Sequence, residues 1–393
     1  MNREETFLKY QAQITKKPFL LDVKKAKGSY IYTKDKNKYI DLVAGVSSCT
    51  LGHSHPSITN AIKKQLDLHT HVMVYGEFIQ EKPLELAKSL SDVLPSELNC
   101  TYLVNSGTEA IEGAIKLAKR KNGRKKIISC VNSYHGSTQG SLSAMGTELM
   151  KKKYRPLIPY HEHIRYNNFE DLIYLQNDIS AIIIEPVQGG TNFIVANQDW
   201  LEEIRKRCNK YSIELIFDEI QTGFGRTGKM FGFELFNVIP DILCLAKGMG
   251  GGMPIGAFIS SKRNMDLLSI DPPLGHITTF GGHPISCAAA LATLNELKNS
   301  RIIESVKEKR ELFQKKLKHQ KIKKIHGIGL MLAIEFENEK VCQDIVKKVL
   351  NNGVITFYFL FNQKNMRISP PLTISKEEII ESCRIIHQTL EQS

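Results

Sequence analysis

Short apolar runs rich in β-branched residues recur through the middle of the chain, each followed by polar or glycine residues and then by a helical pattern. The runs span residues 126–131, 181–187, 213–217, 242–245 and 257–259. Runs that are apolar at every position are typical of strands in a sheet covered on both faces. The pattern therefore predicts an α/β domain with a mostly parallel sheet and helices on both sides.

One helical pattern lies between two of these runs and is expected to cross over between neighbouring strands. Asp199 followed by Glu202 predicts a capping box at its start. Leu201, Ile204 and Cys208 then recur on one apolar face.

The character of the sequence changes after about residue 290, where Lys- and Glu-rich amphipathic segments replace the apolar runs. An amphipathic helix is expected within 306–324, and strand candidates lie near 329–336 and 354–361. At the other end, alternation over residues 29–42 predicts a hairpin that packs with the C-terminal part.

These patterns predict two domains. A large domain is expected over residues 51–290, and a smaller α+β domain over residues 291–393, with the N-terminal segment 1–50 packing against the smaller one.

The formal net charge of +12 over 393 residues raises the possibility of nucleic-acid binding. Much of this charge lies at residues 120–126, 151–155 and 306–324, and the last stretch is typical of the solvated face of an amphipathic helix. We therefore expect the charge to serve solubility and attraction of anionic metabolites, with no nucleic-acid partner.

The eight cysteines form no C-x-x-C pair, which predicts neither a zinc knuckle nor a compact disulfide framework. The residues after Met1 carry mixed charges without an apolar core, and no run approaches the ~18 apolar residues that span a bilayer. We expect a cytoplasmic protein with no membrane partner and no bound metal.

Candidate chemistry lies at the strand ends, because ligands of open α/β sheets bind beyond the carboxyl ends of the strands. After the apolar pair Leu103-Val104 come Ser106, Gly107 and Thr108, at the start of a helical pattern. Free backbone N–H groups at such a helix start favour an anion such as phosphate, although an ordinary helix cap explains the residues equally well.

Three more strand ends carry distinct side chains. Tyr134 could stack on a flat ligand, although a lone tyrosine there is more often part of a core. Glu185 and Asp218 end two further runs, where a buried acid is costly unless it meets a positive charge or a strong donor. A structural ion pair is the alternative explanation for both acids.

Lys247 follows the run at 242–245 and precedes a stretch of four glycines within five residues. Desolvation lowers the pKa of an amine toward the nucleophilic neutral form, which favours a Schiff-base lysine. The glycines fit neither the P-loop pattern nor the dinucleotide-binding pattern. An anion site, a stacking ring, a buried acid and such a lysine together are the requirements of pyridoxal 5′-phosphate.

Longer motifs extend these positions along nearly the whole chain. They read Gly52-His-Ser-His-Pro, Asn105-Ser-Gly-Thr-Glu-Ala, Tyr134-His-Gly, Glu185-Pro-Val-Gln-Gly, Asp218-Glu-Ile-Gln-Thr-Gly-Phe-Gly-Arg-Thr-Gly, Lys247-Gly-Met-Gly-Gly-Gly, Thr278-Thr-Phe-Gly-Gly-His-Pro and Arg367-Ile-Ser-Pro-Pro-Leu. In this order the motifs resemble the class III pyridoxal-phosphate-dependent aminotransferases, which include acetylornithine, ornithine and 4-aminobutyrate aminotransferases. The resemblance implies a fold-type I transferase that moves an amino group from an amino acid to a 2-oxo acid by a ping-pong mechanism.

The resemblance also implies roles around the cofactor ring. Lys247 would hold the cofactor as a Schiff base and shuttle the substrate proton, and Asp218 would keep the pyridine nitrogen protonated. Gln221 would face the ring hydroxyl, and Tyr134 would stack on the ring. Supporting roles would fall to His135 and Glu185.

Further roles concern the phosphate and the substrate. Ser106, Gly107 and Thr108 would bind the phosphate. Thr279 would complete that site from the neighbouring subunit, so the resemblance implies a homodimer with shared active sites. Arg367 would receive a substrate carboxylate as a two-pronged fork.

Two positions depart from the ornithine and acetylornithine enzymes. Ser137 stands where those enzymes usually carry an arginine for a second carboxylate, and Gly190 stands where a glutamate covers the carboxylate-binding arginine. We therefore hypothesise that Arg367 stays open in both half-reactions, with α-amino acids as donors and 2-oxoglutarate or pyruvate as acceptor. A mutase, epimerase or decarboxylase of the same group is the nearer alternative, and a basic nucleic-acid-binding protein is the more distant one.

Overall fold

The computed structural model describes residues 1–73 and 75–392. The helices, in chain order, are α1 (Arg3–Tyr10), α2 (Ala44–Ser47), α3 (Pro56–Leu66), α4 (Glu81–Ser91), α5 (Gly107–Asn122), α6 (Gln139–Ala144), α7 (Glu148–Lys151), α8 (Gln198–Tyr211), α9 (Lys262–Met265), α10 (Pro284–Asn299), α11 (Ser305–Lys316), α12 (Glu339–Asn351) and α13 (Lys376–Glu391). Of these, α2 is a single turn that contains residues with left-handed φ. Short 3-10 helices include Gly232–Leu235 and Lys247–Gly250.

The strands complete the secondary structure of the described residues. In chain order they are β1 (Val23–Lys27), β2 (Tyr30–Thr33), β3 (Lys38–Asp41), β4 (Cys100–Val104), β5 (Lys126–Cys130), β6 (His161–Ile164), β7 (Ile179–Ile184), β8 (Val187–Gln188), β9 (Ile194–Val195), β10 (Glu214–Asp218), β11 (Ile242–Leu245), β12 (Gly256–Ser260), β13 (Lys324–Ile328), β14 (Met331–Glu335), β15 (Val354–Ile355), β16 (Phe357–Tyr358) and β17 (Asn365–Ile368).

The largest sheet has the strand order β4-β12-β11-β10-β7-β5-β6. From β11 to β6 every neighbouring pair is parallel, whereas β12 runs antiparallel to both of its neighbours. Every residue of β7, β10, β11 and β12 is buried, as expected for strands with no polar alternation. The prediction of an α/β fold with a mostly parallel sheet is confirmed.

The predicted crossover helix is α8, which lies in the chain between the paired strands β7 and β10. The predicted capping box at Asp199 and Glu202 is wrong, because the helix begins at Gln198 and is capped by Asn197. The Asn197 side-chain oxygen accepts a hydrogen bond from the Trp200 N–H at 3.0 Å, which satisfies one free donor of the first turn. Asp199 instead lies within that turn, where its charge meets the positive end of the helix dipole.

The two chain ends share a sheet of order β1-β2-β3-β15. The N-terminal hairpin is antiparallel, and β15 adds to β3 in parallel, with Val354 opposite Ile40 and Ile355 opposite Asp41. The N-terminal strands therefore hydrogen-bond to a strand from the last fifth of the chain.

A third sheet has the order β13-β14-β17-β16 and is antiparallel throughout. The prediction of a single strand at 354–361 is wrong. The segment divides at the buried Thr356 into β15 and β16, which belong to different sheets. The helix expected within 306–324 is α11, and it ends at Lys316. Among the described residues, no helix has the length and apolar character required to cross a membrane.

Candidate functional site

Residues at or shortly after the ends of β4, β5, β7, β10 and β11 line one cavity of about 940 Å³. Carboxyl ends of parallel strands meet at one edge of a sheet, which explains why residues distant in sequence gather there. Segments from the C-terminal part close the cavity with Phe357, Tyr358, Phe359, Leu360, Gln363 and Arg367.

Lys247 lies at this edge, two residues beyond the end of β11, with its side chain lining the cavity. Its backbone has a φ of +40°, a conformation that a non-glycine residue adopts only when its surroundings impose it. Gly248, the next residue, permits close packing against Thr50, since a Cβ on Gly248 would lie 2.5 Å from the Thr50 hydroxyl oxygen. Burial lowers the pKa of Lys247, and the Asp218 charge opposes that shift only in part.

Asp218 is the last residue of β10 and is buried together with His135. The Asp218 Oδ2 atom lies 2.7 Å from His135 Nδ1, and Asp218 Oδ1 accepts from the Ile220 N–H at 3.1 Å. Burial alone would lower the pKa of His135, but the hydrogen bond to Asp218 and its charge together raise it. The imidazole thus fixes the carboxylate in orientation.

Glu185 follows β7 and accepts a long hydrogen bond, 3.4 Å, from the Tyr134 N–H. Burial raises the pKa of Glu185 to about 7. One ligand-type atom from each of Glu185, His135 and Asp218 lies within 4.8 Å of the others, a grouping that could also hold a metal ion. A metal ion at these three residues would leave Lys247 and the start of α5 without a function in the site.

The start of α5 forms the anion-binding candidate. Ser106 is its N-cap, with its hydroxyl accepting from the Glu109 N–H at 3.3 Å, and Ser106, Gly107 and Thr108 all line the cavity. Ser106 therefore caps the helix, and all three residues also face the cavity. Gly136 packs against Thr108 with a φ of +130°, and a Cβ there would lie 2.4 Å from the Thr108 hydroxyl oxygen. Only glycine suits that position.

Arg367 lies on β17 and is buried at the C-terminal wall of the cavity. Its guanidinium carbon lies 4.6 Å from the ring centre of Phe359 and 5.3 Å from that of Phe193, and Nη2 donates to the Gly189 carbonyl at 2.6 Å. Burial lowers the pKa of Arg367 to about 10. Neither aromatic residue was predicted from the sequence, because each lies outside the motifs that mark the site.

The two departures from the ornithine-type pattern also lie at the cavity. The Ser137 hydroxyl is 3.1 Å from the Tyr134 hydroxyl. A Cβ on Gly190 would lie 2.6 Å from the Phe361 ring, and the Phe361 N–H donates to the Gly190 carbonyl at 2.9 Å. A larger side chain at position 190 would therefore have to displace Phe361.

The cavity brings together the candidate residues with one exception. Gln221 lines it, and Gln221 Nε2 donates to the Ser47 hydroxyl at 3.3 Å. Thr279 instead is exposed outside the cavity, with its hydroxyl 3.3 Å from that of Tyr75.

The residues present fit a phosphate-bearing aldehyde cofactor. Three buried polar atoms at the site have no hydrogen-bond partner among the described residues, namely His135 Nε2, Glu185 Oε2 and Arg367 Nε. Buried polar atoms are normally paired, so these atoms mark positions where a ligand is expected. The site thus combines a helix start for an anion, a buried carboxylate and an amine of lowered pKa.

Comparison with known proteins identifies the same chemistry. The sequence profile described as aminotransferase class-III matches residues 11–390. An acetylornithine aminotransferase of Caldanaerobacter subterraneus subsp. tengcongensis is 38% identical over 380 residues, covering 94% of each chain. A putrescine aminotransferase of Pectobacterium atrosepticum is 36% identical over 87% of this chain and 76% of its own.

Solved structures extend the likeness to the fold. The ornithine aminotransferase from Toxoplasma gondii, crystallised with partial occupancy of pyridoxal phosphate at its active site, superposes with a TM-score of 0.90 at 29% identity, covering 98% of this chain and 93% of that one. The chain therefore belongs to the class-III aminotransferase family and is a pyridoxal-phosphate-dependent enzyme that transfers amino groups.

Proposed function

We propose that the amino donor is an amino acid that presents its α-carboxylate to Arg367, and that the acceptor is a 2-oxo acid such as 2-oxoglutarate or pyruvate. One observation carries this proposal: Arg367 shares a cavity with Lys247, and its Nε atom has no partner among the described residues. A guanidinium packed against two aromatic rings is suited to a carboxylate.

We assign the chemistry to Lys247 and Asp218. Lys247 would hold the cofactor covalently as a Schiff base through Nζ, and the lowered pKa of its free amine suits it to carry the proton to and from the substrate α-carbon. Asp218, oriented by His135, would accept a charge-assisted hydrogen bond from the pyridine nitrogen. When bound, the cofactor supplies an electron-withdrawing ring that stabilises negative charge at that carbon.

We assign the remaining contacts to binding. Ser106, Gly107 and Thr108 would hold the phosphate at the start of α5, where backbone N–H groups and the helix dipole favour an anion. Tyr134 would stack on the ring, and Gln221 would face its hydroxyl. Glu185 would support the site beside His135.

We propose that Arg367 stays uncovered in both half-reactions. The position that holds a covering glutamate in ornithine-type enzymes is Gly190, and Phe361 occupies the space beside it. Within the described cavity lining, the carboxylates are Glu185 and Asp218, which lie together beside His135. An open Arg367 favours substrates with an α-carboxylate in each half-reaction.

We propose a homodimer in which Thr279 completes the phosphate site of the second copy. Thr279 is exposed, and Phe280 beside it packs on His71 with ring centres 4.8 Å apart. Large apolar side chains are exposed over residues 66–84 and 274–280, the two segments that contain His71 and Phe280. These side chains are Leu66, Leu68, Met73, Phe78, Ile79, Leu84, Leu274, Ile277 and Phe280. Such a concentration of exposed apolar groups is typical of an interface.

We further propose domain boundaries and a location. The cofactor-binding domain would span 51–290, and the smaller domain 291–393 with 1–50 packed against it, which the shared sheet of β1–β3 with β15 supports. The cytoplasm is proposed because all eight cysteines are free thiols, as is usual in a reducing compartment.

Replacing Arg367 tests the carboxylate assignment. Arg367→Lys keeps a positive charge but loses the planar fork, so we expect kcat/KM for α-amino acids to fall by about 10- to 100-fold. A carboxylate-free amine donor should be used no less well than by the parent enzyme. Arg384→Lys, on the exposed face of α13, is the matched control. An unchanged kcat/KM for α-amino acids in Arg367→Lys would contradict the assignment.

A further inference from the structure

The wall of the cavity beside Arg367 is aromatic. Phe357 lies directly opposite Arg367 in the antiparallel pair of β16 and β17, so the two side chains project from the same face of that sheet. The Phe357 ring packs on Phe19, with ring centres 4.9 Å apart, and still lines the cavity at 40% exposure. With Phe359, whose ring lies against the Arg367 guanidinium, it gives the proposed carboxylate site apolar surroundings.

Phe357 belongs to a larger group of exposed apolar side chains that line the same cavity. We call this group the apolar rim, and its members are Ile14, Val46, Phe357, Tyr358 and Leu360. The least exposed member, Tyr358, is 38% exposed. Single exposed apolar residues are ordinary on a protein surface, but a group gathered at one cavity marks a surface that a ligand covers.

Val46 is held at the rim against the preference of its own backbone. It lies in the turn α2 with a φ of +57°, which a β-branched residue adopts only when its surroundings impose it. Before this turn, the Leu42 carbonyl accepts from the Ser369 N–H at 2.7 Å. At its end, the Ser47 hydroxyl accepts from Gln221 Nε2 at 3.3 Å, which connects the turn to the residue assigned to the cofactor hydroxyl. The fold thus keeps an aliphatic side chain beside the cofactor position.

The charged side chains of the cavity already have assigned partners. Among the described residues that line it, the cations are Lys247 and Arg367, and the carboxylates are Glu185 and Asp218, with His135 paired to Asp218. All of these would serve the cofactor except Arg367, which would bind the α-carboxylate. A charge on the side chain of the donor would therefore meet only the uncharged side chains of the rim. Burying such an unpaired charge is costly.

We propose that the apolar rim binds the side chain of the amino donor, and that the donor is an α-amino acid whose side chain is large, apolar and uncharged. This inference rests on the proposed function, because it takes Arg367 as the site of the α-carboxylate and Lys247 as the amine that carries the cofactor. Each further methylene of the donor that the rim buries raises kcat/KM about fourfold. A side-chain carboxylate or ammonium group lowers it.

The test is kcat/KM of the holoenzyme for each donor, obtained from the donor half-reaction by the change in visible absorbance of the bound cofactor. Alanine, 2-aminobutyrate, norvaline and norleucine lengthen the side chain by one methylene at a time. We expect norleucine to react at least about tenfold faster than alanine. Homoleucine and glutamate have side chains of the same branched shape, so their ratio isolates the charge. We expect homoleucine to react at least about tenfold faster than glutamate.

Two kinds of failure are distinguishable in this series. A flat series from alanine to norleucine, or glutamate reacting as fast as homoleucine, would overturn the role of the rim and leave Arg367 as the carboxylate site. Reaction of carboxylate-free amines alone would overturn the proposed function together with this inference.

A second measurement locates the effect at the rim. Leu360→Lys adds a cation there, and we expect the kcat/KM of glutamate relative to that of homoleucine to rise at least about tenfold. Leu149→Lys makes the same change on α7, at a leucine that is 70% exposed and outside the described lining of the cavity, and should leave the ratio unchanged. An equal ratio in the two variants would contradict the proposal. The donor series of the parent enzyme decides the matter if Leu360→Lys does not fold.

Discussion

Lys247 is the residue on which the proposed chemistry depends, because it is the amine at the strand edge whose pKa burial lowers. We expect Lys247→Ala to abolish the visible absorbance of the covalently held cofactor and to lower amino transfer by several orders of magnitude. Circular dichroism should show an unchanged fold. Lys376→Ala, an exposed lysine on α13, should change neither property. A reducible covalent link that survives in Lys247→Ala would refute the assignment.

At the scale of residues, the sequence predicts which side chains lie at the site but not the contacts between them. Ser106, Glu185, Asp218 and Lys247 each follow an apolar run, so topology alone brings them to one edge. The 2.7 Å contact between His135 and Asp218 depends on the path of the loop after β5. No spacing in the sequence encodes that path.

At the scale of elements, the start of α5 has two separable roles. Ser106→Ala should lower the free energy of unfolding by about 1 kcal/mol through loss of the N-cap, and should also weaken cofactor binding. Ser375→Ala removes the corresponding cap of α13, away from the cavity, where the hydroxyl accepts from the Glu378 N–H at 3.1 Å. Chemical denaturation measures the free energy of unfolding of both variants, and cofactor titration measures their affinity for the cofactor. Equal cofactor affinity in the two would contradict a phosphate-binding role for Ser106.

Strands and helices with a local hydrophobic pattern are predicted well from the sequence, whereas strand boundaries that depend on pairing with another segment are not. The buried runs of β10 and β11 carry their own signal in continuous apolar residues. The division of residues 354–361 carries no such signal, because it depends on pairing. β15 pairs with β3, more than 300 residues earlier in the chain, and β16 pairs with β17, about ten residues later. Likewise, Asn197 rather than Asp199 caps α8, since cap geometry rather than composition decides between adjacent polar residues.

At the scale of the whole molecule, the exposed apolar groups predict self-association. Ile79 is 92% exposed, and we expect Ile79→Asp to weaken the dimer at least about tenfold, because a buried charge opposes an apolar interface. Activity should fall with dissociation, since each site would lose Thr279 of the second copy. Ile380→Asp, an exposed apolar residue on α13, is the control. Light scattering at several concentrations reports the mass, and a parent enzyme that is monomeric and active would exclude the shared site.

The most direct test of the proposed substrate class is a screen of amino donors, read by the change in visible absorbance of the bound cofactor and by recovery of the amino group on pyruvate or 2-oxoglutarate. An open Arg367 predicts that the best donor is an α-amino acid reacting at its α-amine. Faster reaction of 4-aminobutyrate or of the ornithine δ-amine than of every α-amine would contradict the account. So would a substrate that is isomerised or decarboxylated without amino transfer to an added oxo acid.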